Sequence, residues 1–159
     1  MRLMSSLKVS RRMKSYLLLS GWAIGVLVSG GVSAAPALRG TLSVKCSGFR
    51  SDKGVVVVKL FSRGDEVPKG KATRRLVGAI ERGQASVKFS NLPYGDYALF
   101  AFHDENENGV VDHNLLKIPT EALGFSNGFR VTLWSGMPEF EDLSFEFSKA
   151  QPIQAIPMR

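Results

Sequence analysis

Apolar and polar residues alternate through most of the chain after residue 40. From Gly40 to Phe49, Leu42, Val44 and Cys46 fall on one side and Thr41, Ser43 and Lys45 on the other, the period of two of a half-buried strand. Val55 to Phe61 is a nearly unbroken β-branched and apolar run, which suits a strand covered on both faces. Ser62 to Lys71 carries Gly64, Asp65, Pro68 and Gly70 and is predicted to be a loop. Leu76–Ile80 is a weaker strand candidate, and Gln84–Phe89 alternates again with Ala85, Val87 and Phe89 on one side.

Pro93 and Gly95 then predict a tight turn before the strand Tyr97–His103. Here Tyr97, Leu99 and Ala101 face one way and Ala98, Phe100 and Phe102 the other, so both faces are apolar and the strand should be central. A tyrosine just after such a turn is positioned to tie its hydroxyl back to nearby backbone, as in Greek-key sandwiches. Asp104 to Gly128 is a long polar insertion, followed by a short strand over Phe129–Leu133 and a turn over Gly136–Phe140. Leu143, Phe145 and Phe147 alternate with Ser144, Glu146 and Ser148 as a further strand. Ile153–Ile156 ends at Pro157, which cannot donate to a ladder, and is predicted to be an edge strand. Helical period is absent apart from one turn over Pro119–Leu123. The expectation is an all-β, antiparallel Greek-key β-sandwich, immunoglobulin-like or transthyretin-like, of about seven strands.

The first 34 residues differ in kind. Arg2, Lys8, Arg11, Arg12 and Lys14 precede an apolar stretch from Tyr16 to Val32, and the first acidic residue is Asp52. The stretch ends in Val32-Ser33-Ala34, a small-x-small cleavage signature. Residues 1–34 are therefore expected to be a secretory signal peptide, with translation starting at Met1, Met4 or Met13. Residues 35–159 are expected to be a single sandwich domain interrupted by the 104–128 loop, exported to the periplasm or the medium with no stable membrane anchor once the signal is cleaved.

That division changes the meaning of the charge. The whole chain has 21 Lys and Arg against 14 Asp and Glu, a net of +7; without the five leader bases the balance is 16 against 14, or +2. A nucleic-acid partner is not expected, because phosphate binding needs a clustered excess of cations. Lys69, Lys71, Arg74 and Arg75 form one local basic run, taken as a solvated loop face. Cys46 is the single cysteine, so no internal disulfide can form, and its place in the alternation marks it as a core residue.

One segment has the composition of a site. Asp104-Glu105-Asn106-Glu107-Asn108-Gly109-Val110-Val111-Asp112 fits D-x-N-x-N-G-x-x-D. Calcium takes six to eight oxygens from carboxylates, amides and backbone carbonyls. The side chains of Asp104, Asn106 and Asn108, the Val110 carbonyl and Asp112 form a candidate shell, with Val111 turned to the core. The bidentate Glu of an EF-hand is missing, since Leu115 stands at the twelfth position; Glu121 is the candidate to supply that carboxylate. A metal-free polar loop of Asx turns fits the same residues. His103 and His113 flank the loop without the partner set of a zinc site and are read as structural. Ser126, His103 and Asp104 hold the letters of a triad but lack its order and its nucleophile elbow.

The blocks Leu92-Pro93-x-Gly95-x-Tyr97-Ala98, His103-Asp104-Glu105-Asn106-x-Asn108-Gly109-x-x-Asp112 and Ile118-Pro119-x-Glu121-x-x-Gly124-Phe125-Ser126-Asn127 resemble the exported bacterial proteins of the domain of unknown function 2141 family. The resemblance runs from about Gly40 to the last residues. It implies an exported β-sandwich similar to transthyretin-like and carboxypeptidase-regulatory domains, and it implies no established activity. The departure from the pattern is Lys117, where Gly precedes Ile-Pro in the family.

Three functions fit this reading. The first is a non-catalytic module that binds a ligand, an envelope protein or a carbohydrate through the 104–128 loops. In it Phe125, Asn127, Phe129 and Trp134 either line a recognition surface or form a small core that folds the insertion down. The second is a hydrolase whose metal at Asp104–Asp112 activates water. The third is a structural or assembly protein of the cell envelope that uses exposed strand edges.

Overall fold

The computed structural model describes residues 37–132 and 136–159. The expected signal peptide and Trp134 lie outside the described residues. Residues Ala35–Arg159 form one compact unit of two packed β-sheets. The eight strands are β1 (Arg39–Ser47), β2 (Val55–Ser62), β3 (Arg74–Ala79), β4 (Gln84–Pro93), β5 (Gly95–Asp104), β6 (Leu123–Phe125), β7 (Phe145–Phe147) and β8 (Ile153–Pro157). The smaller sheet has the order β4-β1-β8. The larger has the order β3-β2-β5-β6, with β7 pairing β5 as well. Chain crossings between the sheets carry β4 back to β1 and β5 back to β2, which is the Greek-key feature of the fold.

The alternation read from the sequence is the alternation of burial. Leu42, Val44 and Cys46 of β1, Ala85, Val87 and Phe89 of β4, and Val56, Val58 and Leu60 of β2 meet between the sheets. Tyr97, Leu99 and Ala101 of β5 join them there, while Ala98, Phe100 and Phe102 point to the opposite side. That outer face carries a second apolar cluster with Val57, Phe61, Phe125, Phe140 and Leu143, so β2 and β5 are buried on both sides. Burying one such aromatic contributes about 1.5–3 kcal/mol, enough to hold the long loops against the sheet. Phe125 stacks on Phe100 at 5.1 Å and meets Phe129 edge-on at 5.9 Å. Phe125 and Phe129 pack into a small core that folds the insertion down, and Asn127 ties it in place by donating to the Ser144 carbonyl at 2.8 Å.

The turn between β4 and β5 forms as expected. The Tyr97 hydroxyl donates to the Pro93 carbonyl at 2.9 Å, pinning the first residues of the central strand to the strand before it.

Several expectations are corrected. The sandwich is not wholly antiparallel, because β8 runs parallel to β1, with Val44 opposite Gln154 and Cys46 opposite Ile156. Residues 129–132 form no strand; Phe129 instead turns its ring onto the outer cluster. The helical turn falls at Phe140–Leu143 (α1) rather than at Pro119–Leu123, because this turn sends both Phe140 and Leu143 into that cluster. It also removes Leu143 from the strand, which begins at Phe145. Arg74 and Arg75 belong to β3 rather than to a loop, since β3 pairs with β2 from Leu60 to Val55.

Candidate functional site

The Asp104–Asp112 loop leaves the end of β5 and folds on its own side chains. Asp104 is buried, and its carboxylate accepts the backbone N–H groups of Asn108 at 3.0 Å and Gly109 at 2.7 Å. Asn106 Oδ1 accepts the same Asn108 N–H at 3.1 Å, and Asn108 Oδ1 accepts that of Val110 at 2.9 Å. Gly109 has φ +81°, the left-handed bend that lets the chain turn back over Asp104. Asp112 closes the ring by accepting the side-chain amides of Asn106 at 2.7 Å and Asn108 at 3.0 Å.

Glu121 comes in from nine residues further along. Its carboxylate accepts the N–H of Asp112 and the N–H of Glu105, each at 3.1 Å, so it clamps both ends of the loop. The structure thus brings together Asp104, Asn106, Asn108, Asp112 and Glu121, while Val110 joins the ring through its N–H rather than through the carbonyl expected as a ligand. Val111 packs against the outer cluster.

The donor set is oxygen-rich and weakly neutralised. Ion pairs among the described residues join Arg63 to Asp96 and Glu141, and His103 to Glu105; none reaches Asp104, Asp112 or Glu121. No three His, Cys, Asp or Glu groups among the described residues form a ready metal set. A cation here would draw on amide and backbone oxygens as well as carboxylates, which is the habit of calcium and not of zinc. Both asparagines turn their amide nitrogens to Asp112, while Asn106 Oδ1 and Asn108 Oδ1 each accept one backbone N–H and keep a second lone pair for a cation.

Two neighbouring polar residues, His103 and Ser126, are held by hydrogen bonds inside the fold. His103 is buried, and Nε2 lies 2.7 Å from the Lys53 carbonyl, so that nitrogen carries a proton. Phe49 meets its ring edge-on at 5.2 Å. Ser126 is fully buried; its hydroxyl donates to the Leu143 carbonyl at 2.6 Å and accepts the Leu99 N–H at 3.0 Å. These bonds stitch β5 to α1 and leave no nucleophile–base pair. His113 is exposed beside the loop.

A cleft of about 1070 Å³ opens over the outer face of the larger sheet. Phe100, Phe125 and Phe129 line it together with Val111, Ile118 and Glu121. One of its walls, from Val110 to Pro119, is the continuation of the Asp104–Asp112 loop. That wall is held in shape by Asn114, whose side chain accepts the N–H groups of Leu116 at 2.9 Å and Ile118 at 3.0 Å. Lys59 projects from β2 into the lining of this cleft among apolar neighbours, a placement that no motif of the sequence marks. Burial pushes the Lys59 ammonium below the usual lysine range, and Arg75 beside it pushes the same way. Its one sign in the sequence is a lone lysine inside Val55–Phe61.

No curated protein and no solved structure matches the chain. A family model described as "Uncharacterized protein conserved in bacteria (DUF2141)" matches residues 44–154, from the middle of β1 into β8 and across the loop and the cleft. The chain belongs to that family.

Proposed function

We propose that this protein is an exported, non-catalytic binding module whose 104–121 loop holds a structural calcium ion. The observation that carries the reading is the clamp by Glu121. It brings a third carboxylate to a ring that already contains Asp104, Asp112 and two asparagine amides, with no lysine or arginine paired to any of the three among the described residues. The three carboxylates already accept N–H groups of the loop, and a divalent ion that drew on their remaining lone pairs and on nearby amide and backbone oxygens would fix the same arrangement more firmly. The ion's work is mechanical. It fixes the loop that continues as a wall of the cleft, and the cleft takes the ligand. Export is supported by the basic start, apolar stretch and Val32-Ser33-Ala34 signature of residues 1–34.

Calorimetric titration with calcium tests this. One binding event is expected in the native protein and none in Asp112→Ala. A native protein that gives no binding heat at millimolar calcium overturns the reading.

A further inference from the structure

We propose that the cleft over the outer face of the larger sheet binds an amphipathic anion, a free molecule with an apolar body and a carboxylate head. The inference rests on the reading of the domain as a binding module and is independent of the calcium ion. The lining of the cleft supplies the first half of the match. Phe100 and Phe125 stack, Phe129 meets Phe125 edge-on, and Ile118, Val131 and Met137 remain about half exposed around them. Apolar surface gathered in a concavity of this size is what an apolar ligand body covers.

Charge supplies the second half. Lys59 lies over the rings of Phe100 and Phe102 at 5.9 and 5.7 Å. It has no carboxylate partner among the described residues, and it stands opposite Arg75 across the β2–β3 ladder. Aromatic faces attract an ammonium but leave its charge uncompensated, so an anionic oxygen is the missing partner. Lys117 lines the same cleft and holds a left-handed φ of +60°, a conformation that costs a non-glycine residue energy. The acid of the lining, Glu121, is turned to the N–H groups of Glu105 and Asp112, and among the described residues no ion pair joins it to Lys59 or Lys117. Lys59 is half-buried, so a flat bilayer of head groups meets it poorly and a free amphiphile entering the cleft meets it well.

The test is calorimetric titration with dodecanoate, dodecyltrimethylammonium, acetate and vesicles of phosphatidylglycerol, on the native protein and on Lys59→Met. Dodecanoate should saturate a single site, and the variant should bind it about tenfold more weakly, the loss of roughly one charge-assisted hydrogen bond. Acetate and the cationic amphiphile should bind no better than the buffer control. Circular dichroism and the melting midpoint confirm that Lys59→Met is folded. Equal affinity for both head groups, unchanged dodecanoate affinity in folded Lys59→Met, or binding to vesicles alone overturns the proposal. A protein that takes the cationic amphiphile but not dodecanoate, or that takes neither, overturns the amphipathic anion and leaves the binding-module reading to its own calcium titration.

Discussion

Gly54 stands against the backbone of Asp104 so closely that a Cβ added there would overlap the Asp104 carbonyl oxygen. The turn from β1 to β2 is therefore packed directly under the first residue of the candidate calcium loop. Gly54 has φ +71° and Gly64 has φ +93°, but a Cβ on Gly64 would meet nothing within 4 Å. Gly64→Ala should cost only the left-handed strain, about 1 kcal/mol. Gly54→Ala should cost about 2 kcal/mol more, because backbone must move. Urea unfolding of the two variants measures the difference, and equal losses would show that the contact is unimportant.

Lys117 offers an opposite case. Glycine adopts a φ of +60° without the penalty that lysine bears. Lys117→Gly should therefore stabilise the fold by about 0.5–1 kcal/mol, and it should weaken dodecanoate binding at the same time. A gain in melting midpoint with a loss of affinity is the expected pair of results. A destabilised variant would mean that the side chain makes contacts that outweigh the strain.

Burial pushes the Cys46 thiol up to about 12, from an ordinary value of 9.0. The folded chain holds this proton more tightly than the unfolded chain does. The resulting stability is fully present below pH 9 and is lost as pH rises from 9 toward 12. Tyr97, raised by burial and partly offset by Arg74 and Arg39, acts in the same sense above pH 10. Lys59 acts in the opposite sense, because its lowered value means that stability rises as pH approaches 10.5. Cys46→Val should remove only the first contribution. Melting midpoints of the variant should fall less steeply than those of the native protein between pH 9 and 11, and parallel curves would contradict the assignment.

The hydroxyl of Tyr97 has one hydrogen bond to give, and the Pro93 carbonyl receives it. Tyr97→Phe keeps the ring against Phe147, 6.3 Å away, and removes the bond alone. The expected loss is about 1 kcal/mol, read as a lower urea midpoint with an unchanged slope. A loss below a few tenths would show that water replaces the tyrosine at the corner.

Much of this was written in the alternation. Tyr97–His103 has apolar residues on both faces, and this could only be a strand with apolar packing on either side. The spacing of Asp104, Asn106, Asn108 and Asp112 marked the loop, and Glu121 was the nearest carboxylate downstream able to return to it. What stayed hidden depends on distant partners. A five-residue strand such as β8 carries no sign of whether its neighbour runs parallel, because side chains alternate with the same period in either direction. The turn α1 was masked because Leu143, Phe145 and Phe147 keep a strand's spacing. Its helical geometry comes from the need of Phe140 and Leu143 to reach one cluster, with Asp142 accepting the Glu139 N–H at 2.9 Å. The strand β6 lies inside the polar insertion, and its three residues centred on Gly124 are too few to show an alternation. That glycine is needed because Ile156 and Met158 crowd its face, leaving no room for a Cβ.

The most direct test of the calcium assignment is the melting midpoint in millimolar calcium against the same protein in chelator. A ligand at one hundred times its dissociation constant adds about 2.7 kcal/mol to a folded state that alone binds it. Calcium should raise the midpoint by several degrees, and Asp112→Ala should abolish the shift. Coincident midpoints in calcium and chelator would contradict a structural ion in the 104–121 loop.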